Sequence, residues 1–362
     1  LRKGGYAGRI TVLHRESVGP YNRTLVNKAV MQGMLTPDQI ALPPLDTFEV
    51  EAVQAHATGI DHDRGVVTLD IGDELPYTAL IAATGSAPQS GGRDDRVFHI
   101  HTVDDAIRVR DFFDRDLGSA GITVLGAGFI GSETASHFAG AGAAVNLVSK
   151  PDLPLASALG GQIAHRVAEL HGAHVNTYFG RRTEKVDSGQ SSVMVTLDDG
   201  RRLESDAVVI AHGTRPISAW AVGGGAGIEV DDRLRSRAVP NGYAAGSVAV
   251  HSAAMGARYR IDHWDAAVAQ GTHAARAVLH DLDGAADPGP YAPTTGFNLN
   301  LYRTPITVYG PILPNTTRHD HVSDNANEIV TTFQATDGSV VAVAGFNAAR
   351  RVIELRGQLA RP

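Results

Sequence analysis

The sequence contains no cysteine, which excludes structural disulfides, thiolate metal sites and a redox-active cysteine pair within its 362 residues. Any electron chemistry therefore has to come from a bound cofactor. No uninterrupted apolar run is long enough to cross a bilayer, so no membrane partner is expected. Nor is there a basic block to follow a phosphate backbone: 39 acidic side chains outnumber 32 Lys and Arg, for a formal charge of -7. Nucleic acid is not an expected partner. A secretory signal would need a basic start and an apolar run of about 7 to 15 residues, and nothing fits, so a cytoplasmic location is the expectation. There is no G-x-S-x-G elbow to support a hydrolase and no repeat of fixed period.

What is present is a globular composition, 43% apolar and 20% charged, in a chain long enough for two or three domains. The opening LRKGGYAGRITVL reads as a helix end, a turn and a strand, and residues upstream of Leu1 are expected. RITVL, Arg9 to Leu13, is a strand ending at His14-Arg15-Glu16, with a Pro/Asn/Gly loop after it. Short β-rich runs follow over Phe48 to Ile60 and Gly65 to Leu69, and YTALIAA, Tyr77 to Ala83, has the pattern of a buried strand. A helix is expected over Asp104 to Leu117. Between Gly121 and Gly213 strand and helix alternate, which argues for a parallel sheet with crossover helices, and Asp199-Gly200 marks a hairpin. Beyond Gly213 come the strand GYAAG, a helix over Trp264 to Leu279, a linker over Asp281 to Pro293, β-type alternation in EIVTTFQATDGSVVAVAGF and a final helix in AARRVIELRGQL.

The most informative stretch is ITVL followed by Gly126-Ala127-Gly128-Phe129-Ile130-Gly131. This is the G-x-G-x-x-G dinucleotide fingerprint in its required setting, with a strand before it and a helix after it. Gly126 permits the tight turn, Gly128 lets the backbone approach a pyrophosphate, and Gly131 allows the helix to pack close to the strand. The amides that open the helix supply the anion site. An acidic residue at the end of the second strand would bind the 2′-hydroxyl of NAD, but Ser149-Lys150 stand there. A hydroxyl and an ammonium suit a 2′-phosphate better, giving a modest preference for NADPH; a solvated surface lysine is the plainer alternative.

Around that turn RITVLHRE, PYNRTLVNKAVMQG, YTALIAATGSAP, ITVLGAGFIGSE, DAVVIAHGTRP, GYAAGSVA and DHWDAAVAQG occur in this order. Together they resemble the ferredoxin reductase-like branch of the FAD-dependent pyridine nucleotide oxidoreductases, which shares its fold with apoptosis-inducing factor. The resemblance covers nearly the whole chain. It implies an α/β protein with two Rossmann-like nucleotide-binding domains plus a C-terminal α/β interface domain. The FAD domain would comprise residues 1–98 and 214–287, with its N-terminal strand and glycine turn lying before Leu1. The NAD(P) domain would span 99–213 and the interface domain 288–362.

The resemblance also implies an activity, in which NAD(P)H bound at Gly126 passes hydride to FAD and electrons then reach an acceptor such as a ferredoxin. Glu16 would receive the adenosine ribose of FAD, and Arg23 and Lys28 would lie near the flavin. Ala83-Thr84-Gly85 would bring the chain from the FAD domain into the NAD(P) domain by a tight backbone approach, and these residues, like Gly213, would contact cofactor. Glu133, with Lys28, would position nicotinamide against flavin, although a glutamate in a first helical turn also serves the helix dipole. Gly246-Ser247 stand where relatives have Gly-Asp to hold the ribityl chain, and His263-Trp264 would lie near the flavin ring. TGFNLNLYRTP replaces the aromatic and acidic motif of the flavin face, leaving Phe297 and Tyr302 as substitutes. Without cysteine there can be no disulfide relay.

His319-Asp320-His321 suits a solvated polar loop better than a metal site, because adjacent side chains of an extended segment face opposite ways and no third ligand lies near in sequence, and no metal is expected. The same residues leave two other functions open. One is a nucleotide-binding sensor or scaffold without flavin turnover, and the other a flavoprotein oxidase acting on a small metabolite. A monomer and a homodimer fit equally well.

Overall fold

The computed structural model describes residues 1–89, 94–113, 117–252, 258–292, 296–313, 316–322, 325 and 327–359. Its centre is a five-stranded parallel sheet in the order Asn176–Phe179, Ala144–Ser149, Gly121–Leu125, Ala207–Ile210 and Val97–Phe98. Ile122, Val124 and Leu125 are fully buried, as expected of a parallel strand covered on both faces. Thr123 is equally buried, and its hydroxyl meets that of Ser205 at 2.5 Å. The chain leaves Gly121–Leu125 towards one side of the sheet through the helix Phe129–Gly140 and later returns on the other side as Ala207–Ile210. This reversal of strand order opens a crevice beyond the carboxyl ends of these two neighbours, where Gly126 and Ala211 lie. The sheet takes in Val97 and Phe98, so it begins just before the expected boundary at residue 99.

A second α/β layer surrounds the parallel pair Leu80–Ala82 and Gly242–Ala244, against which the helix Trp264–Asp283 buries Ala274, Ala277 and Val278. Thr11–His14 pairs in parallel with Glu51–Gln54, and Ala57–Asp61, Val66–Leu69 and Glu74–Pro76 form an antiparallel sheet. The two passages of the chain between this layer and the central sheet, Ser86–Pro88 and Thr214–Pro216, pair with each other.

The C-terminal part is a five-stranded antiparallel sheet, ordered Gly296–Leu301, Thr304–Tyr309, Val340–Phe346, Ile329–Gln334 and Thr317–Val322, with the helix Ala349–Arg356. Its inner face shares one core with Leu159, Ile163 and Val167 of the helical segment before Asn176.

Most expected elements are present with small shifts at their ends. The first predicted helix spans Val103–Phe112, capped reciprocally by Thr102 and Asp105, while its expected continuation through 114–116 lies outside the described residues. The linker's last residue, 293, lies outside them too.

The expected loop after Glu16 differs more. It contains a π-helical turn, Val26–Val30, in which Met31 N–H reaches Val26 O and Met34 N–H reaches Ala29 O. Five-residue hydrogen bonds of this kind are rare and often occur at functional sites. Val26, Val30 and Met31 pack on Phe98, Val103 and Ala106, and this packing holds Asn27 and Lys28 in place. Among the described residues no helix is long and apolar enough to cross a membrane.

Candidate functional site

One cavity of about 1580 Å³ lies beyond the strand ends and is lined from all three layers. Its volume exceeds the roughly 300–1,000 Å³ usual for a single small-ligand site. The glycine turn forms one wall. At Gly126, where φ is +108°, a Cβ would sit 2.4 Å from Ala211 O, and a Cβ at Gly131 would sit 1.8 Å from Gly126 O. Neither position can hold a side chain without moving the helix off the sheet. A Cβ at Gly128 would meet nothing within 4 Å, so the protein itself does not demand glycine there. Gly128 also caps the helix Phe129–Gly140 without any side-chain hydrogen bond, which leaves the first helical amides as donors for an anion.

Ser149, nearly buried, ends the neighbouring strand, and Lys150 follows it into the cavity lining. Arg181 and Arg182 line the same region, because parallel register sets Phe179 beside Ser149 and Arg181 N–H donates to Ser149 O at 3.0 Å. Arg181 is paired with Asp199 at 3.0 Å, whereas Arg182 is exposed and forms no ion pair within the described residues. Sequence spacing hides this cluster, since about thirty residues separate Lys150 from Arg182 and only strand register joins them.

On the helix that the turn opens, Glu133 Oε1 lies 3.2 Å from Lys28 Nζ, and Asn27 Nδ2 donates to Glu133 Oε2 at 2.9 Å. Lys28 also donates to Asn298 O at 2.8 Å, so this one ammonium ties the π turn to the nucleotide-turn helix and to the C-terminal sheet. Asn27 is buried and was not among the residues singled out from the sequence.

Arg23 reaches the cavity, but it donates to His101 O at 3.0 Å and pairs with Glu16. Glu16 lies outside the cavity lining, with Tyr21 OH donating to its second oxygen at 2.6 Å. Burial raises the Glu16 carboxyl, but the hydrogen bonds from Tyr21 and Arg23 outweigh it and hold the group below its ordinary value.

Ala83 and Gly85 line the cavity, while Thr84 turns away to bond Ile217 O at 2.5 Å. Ile130 and Gly213 line it as well. Gly246 donates its N–H to Gln270 Oε1 at 2.7 Å, and Ser247 donates to Asp262, which the sequence reading missed.

His263 stacks on Phe297 with ring centres 4.1 Å apart, and Phe129 stands edge-on to both. Burial lowers the His263 pKa, with Asp262 and Asp265 opposing the shift in part. Trp264 completes this wall.

Of the two aromatic substitutes expected on the flavin face, Phe297 is in the cavity and Tyr302 is not. Tyr302 sits at φ +50° in the tight turn between two C-terminal strands, stacks on His174 and bonds His171 Nδ1 at 2.9 Å, which anchors the hairpin to the central unit. His321 bonds Thr332 at 2.8 Å and Asp320 accepts from Thr331 at 2.5 Å. Among the described residues no cluster of three or more His, Cys, Asp or Glu could hold a metal.

The geometry has counterparts in known proteins. The chain is 28% identical to the NADH-dependent phenylglyoxylate dehydrogenase subunit epsilon of Aromatoleum evansii, over 96% of this chain and 84% of that protein. It is 27% identical to the rubredoxin-NAD(+) reductase of Pseudomonas putida, over 81% and 78%. The crystal structure of Fdr9 superposes with a TM-score of 0.86 at 27% identity, covering 100% of this chain and 91% of the other. The sequence profile of the pyridine nucleotide-disulphide oxidoreductases matches residues 1–271. Because that match takes in both the Gly126 turn and the Gly246 wall of a single cavity, the chain belongs to the pyridine nucleotide-disulphide oxidoreductase family.

Proposed function

We propose that the chain is an NADPH-preferring flavoprotein reductase that passes electrons to a ferredoxin-type protein. The observation that carries this reading is the single cavity into which the Gly126 turn, the Gly246 wall and the Lys28–Glu133 pair all open. Membership of the family implies FAD and a pyridine nucleotide. The residues fit both, since unspent helix amides suit a pyrophosphate and the Ser247–Asp262 wall offers a hydroxyl and a carboxylate to sugar hydroxyls. We assign the FAD unit to residues 1–98 and 214–287, except that the edge strand Val97–Phe98 joins the nucleotide sheet, the nucleotide unit to 99–213 and the interface unit to 288–362. A flavin, when bound, supplies two-electron acceptance and one-electron release.

The chain's own residues supply orientation and charge. Glu133 and Asn27 offer one fixed carboxylate-amide pair to a nicotinamide carboxamide, and Lys28, 3.2 Å from Glu133 Oε1, holds that carboxylate in place. Phe129, His263 and Phe297 exclude water from the same region. With no cysteine, electrons cannot pass through a disulfide and must leave from the cofactor itself.

A ferredoxin-type acceptor is supported by the names of relatives. They include the rubredoxin reductase above, and the fold is shared with the reductase in a covalent putidaredoxin reductase-putidaredoxin complex. Lys150 and Arg182, which has no ion pair among the described residues, support NADPH, although both relatives named above carry NADH or NAD(+) in their names.

The test is the visible spectrum of the purified protein with FAD, before and after anaerobic addition of NADPH, with NADH in parallel. Bleaching that is faster with NADPH is the expected result. A protein that stays colourless after FAD addition would leave the nucleotide-binding module without redox turnover as the better reading.

A further inference from the structure

The wall at Gly246 holds a carboxylate with no cation on it. Asp262 lines the cavity and is exposed to it, and no Lys, Arg or His among the described residues forms an ion pair with it. Its two oxygens are each held by a hydroxyl: Ser247 donates to Oδ1, and Thr214 donates to Oδ2 at 2.7 Å. Arg260 stands beside this arrangement but spends its guanidinium on Ser247 O, at 2.8 Å, and on Thr214 Oγ1, at 3.4 Å. Three segments distant in sequence thus converge to orient one carboxylate at the cavity surface.

The chemistry of that arrangement selects its ligand. A phosphate would be repelled by the carboxylate, and a metal would need further ligands that are absent among the described residues. Neutral hydroxyl donors fit, because each carboxylate oxygen accepts more than one hydrogen bond and a charged acceptor makes the stronger bond.

We propose that Asp262 is the acceptor for the ribityl hydroxyls of FAD, with Ser247 and Thr214 as its positioning residues. This rests on the flavin reading above. The carboxylate that position 247 lacks is supplied from position 262, across the Ser247–Asp262 hydrogen bond.

The test measures binding by the whole chain, FAD by flavin fluorescence and NADPH by calorimetry. Asp262→Asn should weaken FAD roughly ten-fold while leaving NADPH within about two-fold, the loss expected for one charge-assisted hydrogen bond. Adding Ser247→Asp to that variant should return FAD affinity to within about three-fold of the parent, since the charge is restored one hydrogen bond away. The same Ser247→Asp change alone should weaken FAD, because two carboxylates would then share one site.

Unchanged FAD affinity in Asp262→Asn would overturn the assignment. So would an equal loss for both nucleotides, or a rescue that fails while the double variant melts like the parent. Loss of NADPH binding alone would move the carboxylate to a nucleotide ribose. Failure of the unmodified chain to bind FAD at all would instead overturn the flavin reading, and this assignment with it.

Discussion

Lys28 Nζ and Glu133 Oε1 are 3.2 Å apart, although they belong to different elements and 105 positions separate them in the sequence. The Glu133 side chain is only 10% exposed, and this ammonium and the Asn27 amide are its polar partners. Lys28→Met would leave a largely desolvated carboxylate without its cation, at a cost of about 1–3 kcal/mol. Adding Glu133→Gln should recover part of that loss, which a double-mutant cycle by urea denaturation would read. Glu133→Gln alone should slow flavin bleaching by NADPH about ten-fold with little change in nucleotide affinity. Additive stability losses would mean that the pair is not coupled.

Lys150 and Arg182 predict a nucleotide-specific effect. Alanine at either position should raise KM for NADPH roughly ten-fold, the worth of one charge-assisted hydrogen bond, and change NADH by less than about two-fold. An equal rise for both nucleotides would show that these bases serve the fold or the pyrophosphate instead.

The glycine turn separates a structural demand from a ligand demand. Gly131→Ala should destabilise the fold by about 1–3 kcal/mol, because its methyl would collide with Gly126 O. Gly128→Ala should leave the urea midpoint unchanged, since its Cβ meets open space, yet weaken nucleotide binding about ten-fold by blocking close approach. Equal stability losses in both variants would contradict this division.

His171 and His251 carry the expected acid sensitivity. Burial lowers each to about 4, in His171 with help from His174. Among the described residues neither ring's buried Nε2 has a partner, so the neutral form belongs to the folded state. An unfolded histidine takes up its proton near pH 6.5, and the folded rings resist until about 4. Stability should therefore be level above pH 6.5 and fall as pH drops from 6.5 towards 4, by up to ~3 kcal/mol per ring. Urea midpoints at pH 7.5 and 5 test this, and His171→Phe should flatten the dependence. Identical midpoints for the parent at both values would refute the assignment.

The sequence by itself determined the local features of this protein. ITVL reads as a buried strand leading into a glycine turn, and Gly126 and Gly131 sit where a side chain would collide with backbone. The absence of cysteine removes every disulfide mechanism from these 362 residues. These are short-range facts, set by backbone sterics and hydrophobic pattern over a few residues.

Only the tertiary structure decided which side chains share the cavity. The π turn that presents Asn27 and Lys28 reads as a loop, because its packing partners Phe98, Val103 and Ala106 lie about seventy residues away. Arg182 reaches Lys150 through parallel register, and Asp262 reaches Ser247 across a segment with no periodic signal. Tyr302 leaves the cavity because its turn feeds its ring between His171 and His174. Contacts of that kind depend on how separate layers pack, and a hydrogen bond between distant residues leaves no trace in the spacing of either.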